Sequence, residues 1–251
     1  MRIKTTTLSL FWVVCFCQVF ASQSDHELKQ KFEAIDNFAI HLPIGWEEIP
    51  KEILEQYSKS IRQETKNFRE VVYDYGYQLS SSDYWLQYPY IVVQVKRTGR
   101  IPSGEFKNMD KIEIAMEEGI DQVENSQSIM SNVQLDKPSY DSELHILWIL
   151  LETKVEGIGK VKGLSGLLLT EAGAIQISCY SLSSGFDEYV PLFEKIIRNC
   201  EIDESIKYRS RMLDSIPMLN KIDFGKVIGR IIGFAIVSSI ITYFIRRKRS
   251  T

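Results

Sequence analysis

Ile146-Leu147-Trp148-Ile149-Leu150-Leu151 is apolar at odd and even positions alike. Successive side chains of a strand point to opposite faces, so a strand of this composition must be covered on both. The run lies in the first of three apolar, β-branched stretches, 144–154, 159–170 and 174–182. Short glycine-bearing turns separate them, which is the pattern of an antiparallel meander. A meander covered on both sides predicts an α+β fold, an antiparallel sheet with helices on both faces in an α/β/α sandwich.

Upstream, Phe38, Ile40 and Leu42 alternate as a strand does, and Pro43, Gly45 and Trp46 break it into a turn. Ile53, Leu54, Tyr57, Ile61 and Phe68 then recur at helical spacing and predict an amphipathic helix over 51–67. Strands are expected at 71–79 and 90–97 around a polar, aromatic loop at 80–87. A second helix over 104–125 follows from the stripe Ile112, Ala115, Met116, Ile120 and Val123. Phe186, Tyr189, Val190, Phe193, Ile196 and Ile197 predict a third, packed back on the meander.

The two ends address a membrane. Arg2 and Lys4 precede an apolar stretch from Leu8 to Phe20, and Val19 and Ala21 occupy the small-residue positions of a cleavage site before Ser22. At about 1.5 Å per residue that stretch reaches only about 20 Å, too short for a bilayer crossing, so residues 1–21 read as a signal peptide. At the other end, the apolar run 227–245 reaches about 28 Å, one bilayer crossing. Arg246, Arg247, Lys248 and Arg249 follow it at once and mark a cytoplasmic tail at 246–251. A buried core helix is the alternative, disfavoured because core helices rarely end in four consecutive cations. Arg230, the charge inside the run, lies about one turn from its start, where its side chain can reach the headgroups.

Between the ends lie a polar segment 22–36, a domain 37–200 and a polar, Pro217-containing tether 201–226. All 33 acidic residues fall between Ser22 and Lys226, whereas seven of the 30 basic residues fall outside, which leaves that region at a charge of about −10. An acidic body without a basic run interleaved with aromatics repels polyanions, so nucleic acid is not an expected partner.

Phe38 to Trp46, F-A-I-H-L-P-I-G-W, is similar to the opening strand and Pro-x-Gly-Trp turn of PsbP-like and DcrB-like exported bacterial domains. I-Q-I-S-C-Y-S-L followed by F-D-E-Y-V-P-L-F-E-K-I-I, over 175–197, resembles their closing strand and helix. The element order as a whole resembles the Mog1/PsbP-like fold. The resemblance implies an exported accessory or binding protein rather than an enzyme, and it carries over no functional residue.

Chemistry-bearing residues are few. His26, His41 and His145 lack ligand spacing, so no metal is expected. Gly163-Leu164-Ser165-Gly166 has the wrong spacing for a nucleophile elbow, and no phosphate or dinucleotide fingerprint exists, so no cofactor and no catalytic residue is assigned. After signal removal Cys179 and Cys200 remain; helix and strand rises bring them close enough for a disulfide, with two separate buried thiols the alternative. Tyr84, Trp85, Tyr88 and Tyr90 form the candidate interaction surface, since such rings bury area at low entropy cost. The alternative is that the tyrosines merely cover one sheet face. Gly229 and Gly233 make a G-x-x-x-G pair able to bring two membrane helices together as a homodimer.

These features predict a single-pass type I membrane protein, its main domain on the periplasmic face of a bacterial inner membrane. It is expected to act as a non-catalytic binding or assembly-accessory domain through contacts with a protein partner. A cell-envelope enzyme whose site is assembled from residues distant in sequence is the alternative.

Overall fold

The computed structural model describes residues 27–64, 72–107, 109–124, 130–215 and 224–239. Its strands are β1 (Gln30–Ala34), β2 (Phe38–Leu42), β3 (Trp46–Glu48), β4 (Tyr75–Leu79), β5 (Tyr90–Lys96), β6 (Met130–Leu135), β7 (Ser139–Asp141), β8 (Ile146–Val155), β9 (Gly159–Thr170), β10 (Gly173–Leu182) and β11 (Glu201–Ile202). The helices are α1 (Lys51–Glu64), α2 (Met109–Glu124), α3 (Phe186–Arg198) and α4 (Phe224–Ser238). The fold is α+β and its strands pair antiparallel. The main sheet runs β3-β4-β5-β10-β9-β8-β6, with β7 also on β8, and a small sheet runs β1-β2-β11.

β8 behaves as its composition requires. Leu147, Ile149 and Leu151 point into a core shared with α1, α2 and α4. Ile146, Trp148 and Leu150 point into a second core shared with α3 and the small sheet. Each fully buried aliphatic side chain of this kind contributes about 1.5–3 kcal/mol, so this strand anchors both layers.

Two glycines in β9 admit the large residues that flank them. A Cβ at Gly163 would lie 2.6 Å from the Tyr180 ring, and one at Gly166 would lie 2.4 Å from a methyl of Ile197 on the other face. The Gly-Leu-Ser-Gly segment is therefore strand interior, thinned where Tyr180 and α3 press against the sheet.

Several elements differ from expectation. The folded body begins before residue 37, because Gln30–Ala34 pairs with β2. The strand expected from 71 begins at Tyr75, and β6 and β7 add pairs to β8 that no periodicity announced. The expected tether is partly structured: β11 pairs with β2, Lys207 bridges to Thr170, and Tyr208 is buried. Residues 1–21 and 246–251 lie outside the described residues, as does 240–245.

The largest difference is α4. Lipid was expected to sheath this run, yet the part described packs on α2 and on the main sheet, with Ile228, Ile231, Ile232, Phe234, Ala235, Ile236 and Val237 in the core. No helix among the described residues is long and apolar enough to cross a membrane. An apolar helix needs only an apolar, hydrogen-bond-compatible surrounding, and here part of the protein supplies it.

Candidate functional site

The candidate site is the face of the main sheet on which α4 lies. The even-numbered residues of β5 and β10 present Tyr90, Val92, Gln94 and Lys96 beside Ala174, Gln176, Ser178 and Tyr180, and the register sets Gln94 opposite Gln176 and Tyr90 opposite Tyr180. Gln176 and Ser178 are wholly buried, and Ser165 on β9 shares a 2.7 Å hydroxyl contact with Ser178. A polar stripe therefore runs down the middle of a sheet that is otherwise apolar.

That stripe grips the main chain of the helix. Gln176 Nε2 donates to the carbonyl of Ile231 at 3.0 Å, and the Tyr180 hydroxyl donates to that of Ala235 at 2.7 Å. The Tyr90 hydroxyl donates to the Ser238 carbonyl at 2.6 Å, and Tyr88 donates to that of Ser239. A helix leaves its last carbonyls without an intrahelical donor, and Tyr90 and Tyr88 cap that end, whereas Tyr180 adds a second donor to the Ala235 carbonyl, which also accepts from the Ser239 N–H at 3.3 Å. Ser238 Oγ reaches the Tyr73 hydroxyl at 3.3 Å. Burial pushes the hydroxyls of Tyr73, Tyr90 and Tyr180 above their ordinary range, so they stay protonated donors at physiological pH.

The rings pack as well as donate. Tyr88 stacks on Tyr90 at 5.0 Å, Tyr90 lies 5.4 Å from Tyr180, and Tyr73 lies 5.2 Å from Phe234. Lys96 donates to Gln94 and places its ammonium 5.2 Å from the Phe234 ring centroid. Gln176 Oε1 is buried with no hydrogen-bond partner among the described residues. From Ile228 to Ser239 only Gly229 and Arg230 keep any exposure.

A second contact fixes the chain just upstream. The Arg100 guanidinium, 13% exposed, binds both carboxylate oxygens of Asp214 at 2.7 and 2.6 Å and Glu171 at 3.1 Å. It also donates to the Arg209 carbonyl at 2.9 Å and lies 4.5 Å over the Tyr208 ring. The Arg100 hydrogen bonds hold the Asp214 carboxyl at about 2, well below its ordinary 3.8. Beside this clamp, His145 Nδ1 meets the Tyr140 hydroxyl at 2.9 Å and Nε2 meets Ser210 Oγ at 3.1 Å. Burial lowers the imidazole below its ordinary value. Its neighbours tie 203–215 to the body, and no group of three or more His, Cys, Asp or Glu among the described residues could hold a metal ion.

The residues singled out in the sequence are thus distributed. Tyr88 and Tyr90 cap α4, whereas Tyr84 and Trp85 pack partly buried against the same core. Tyr88 and Tyr90 thus belong to a seat filled by the chain's own helix. Gly229 lies against α2, where a Cβ would sit 3.9 Å from the Ala115 carbonyl, an ordinary van der Waals contact. Cys179 and Cys200 are free thiols. Sequence reasoning missed Gln176, Tyr180 and Arg100. The signal for the first two was present: polar residues alternating along a strand buried on both faces must find partners.

No protein-family model matches the chain, and no curated protein matches it in sequence. Among solved structures it is similar to cyanobacterial PsbP (CyanoP) from Synechocystis, at 12% identity and a TM-score of 0.45, over 69% of this chain and 91% of that one. It is also similar to PA94 from Pseudomonas aeruginosa, a protein of unknown function, at 7% identity and a TM-score of 0.30, over 68% of this chain and 94% of that one. The likeness concerns the course of the chain, not its chemistry.

Proposed function

We propose that the protein is a non-catalytic accessory module that receives an apolar helix on its main sheet and acts through protein contacts at an envelope membrane. One observation carries this reading: Gln176, Tyr180 and Tyr90 donate to three carbonyls of α4, and Tyr88 to that of Ser239 just past its end. Donors aimed at carbonyls read a helix as a helix, whatever its side chains. The remaining demand is burial, which any apolar side chain meets. Such a seat accepts a partner's apolar helix in place of α4, which is what an assembly factor requires. The exported setting is supported by the leader-like amino terminus and by the cations after the apolar tail.

The test separates backbone recognition from sequence recognition. Ile232→Asp, which puts a charge into the core, expels α4 from its seat in the full chain. A labelled peptide of residues 224–239 and a scrambled apolar peptide of equal composition should then bind within a few-fold of one another, while a polar helical peptide should not. Binding of the native order alone, or of no peptide, is incompatible with the reading. The same peptides in excess over the unmutated chain should displace α4, seen as loss of amide protection at 231–239.

A further inference from the structure

We propose that the C-terminal apolar run is a shuttling helix, which rests on the sheet as α4 and transfers into a lipid bilayer, opening the sheet face as it leaves. The proposal rests on the sheet being a helix seat and adds lipid as the second environment.

Three observations converge. The apolar sequence runs on past the described helix, through Ile240, Ile241, Phe244 and Ile245 to Arg246. About 19 apolar positions ending in four cations suit a bilayer with an anionic surface.

The vacated face also tolerates water. Its centre carries a polar row, Gln94, Gln176, Ser178 and Ser165, each of which is buried when α4 is in place and can be hydrated when it is not. Gln176 Oε1 has no partner among the described residues in the docked state and would gain one on hydration. The tyrosine hydroxyls likewise exchange helix carbonyls for water.

Finally, the helix loses little by moving. Its apolar side chains go from one apolar surrounding to another, its internal main-chain hydrogen bonds are kept, and what it gives up is the set of donors from Gln176, Tyr180, Tyr90 and Tyr88. Arg230 is exposed while docked and sits about one turn inside the run, where it can reach headgroups after transfer.

The test uses the full chain carrying Ala115→Cys and Gly229→Cys, adjacent positions on α2 and α4, with the four native cysteines removed as Cys15→Ala, Cys17→Ala, Cys179→Ala and Cys200→Ala. Vesicles are phosphatidylcholine with one quarter phosphatidylglycerol, and association is read by flotation. The reduced chain should float, and the chain oxidised within one molecule should stay at the bottom of the gradient. Equal flotation of the two forms, or flotation of neither, overturns the proposal. An oxidised product joining two chains also overturns it, since the seat would then hold a second copy's helix. Tyr90→Phe with Tyr180→Phe needs no cross-link, and it should float at roughly 30-fold lower lipid concentration than the unmutated chain. An unchanged lipid dependence overturns the proposal independently. Absence of flotation with intact peptide displacement removes lipid and leaves the helix seat. Flotation controlled by the disulfide, without peptide binding, keeps the transfer and removes the partner helix.

Discussion

The Tyr180 hydroxyl lies 2.7 Å from the carbonyl oxygen of Ala235, so a central strand holds the last described helix by its main chain. Removing that hydroxyl removes a buried donor without opening a cavity. Tyr180→Phe and Tyr90→Phe should each weaken docking of α4 by about 1 kcal/mol, with little effect on the rest of the body. Hydrogen exchange would show faster amides at 231–239 and unchanged amides in β8 and β9; uniform acceleration would contradict a local role.

The Arg100 clamp gives an acid-sensitive anchor. The Asp214 carboxyl sits at about 2 in the folded protein against an ordinary 3.8, so its contribution is fully present above about 3.8 and is lost as pH falls toward about 2. Asp214→Asn should cost roughly 1.5–3 kcal/mol, because the mostly buried Arg100 guanidinium loses one of its two carboxylates and keeps Glu171. It should also flatten the dependence of urea-unfolding stability on pH between about 4 and 2. A mutant curve that keeps the wild-type slope there would rule this out.

His145 acts in a different window. Its folded-state value is depressed below 6.5 by burial, so protonation favours the unfolded chain, and stability should decline as pH falls below about 6.5. His145→Gln should lose this decline, as followed by thermal unfolding from pH 7 to 5, while keeping the Asp214 step between about pH 4 and 2.

Gly163→Ala places a methyl 2.6 Å from the Tyr180 ring, closer than such atoms approach. A displaced ring loses its alignment on Ala235, so the substitution should cost about 1–3 kcal/mol and loosen α4 preferentially. Tyr180→Phe should not relieve the clash, because the ring remains. A Gly163→Ala protein as stable as wild type would show that the ring moves freely.

Burial pushes the Cys200 thiol up to about 12 and raises that of Cys179 further. Neither should react appreciably with a thiol reagent in the native protein at pH 8, and both should react on unfolding. Peptide mapping without reductant should find them unlinked. A Cys179–Cys200 bridge in exported protein would contradict the structure.

What the sequence disclosed and what it withheld follow from the range of the forces involved. β8 was legible because its two-faced apolarity is a local property, and α1, α2 and α3 were legible from their periodic stripes. β1 was hidden because Gln30–Ala34 alternates half-buried with exposed positions and looks like polar coil. Residues 203–215 read as tether because polar contacts such as Arg100 with Asp214, 114 positions apart, leave no periodic trace. The site itself was half visible: Tyr88 and Tyr90 were picked out, but their target was not. An apolar helix has the same composition whether lipid or a sheet surrounds it. The difference lies in hydroxyls contributed from as far as 151 residues away.

The order of the grips along α4 has a mechanical consequence. A pull on the carboxyl terminus meets Tyr88 first, then Tyr90, Tyr180 and Gln176, so the bonds break in succession, as a zipper opens, and at low force. The load then arrives at the Arg100 clamp, where several bonds and a ring must yield together. Tension on the tail would peel away the helix and stop there, leaving the sheet unstretched.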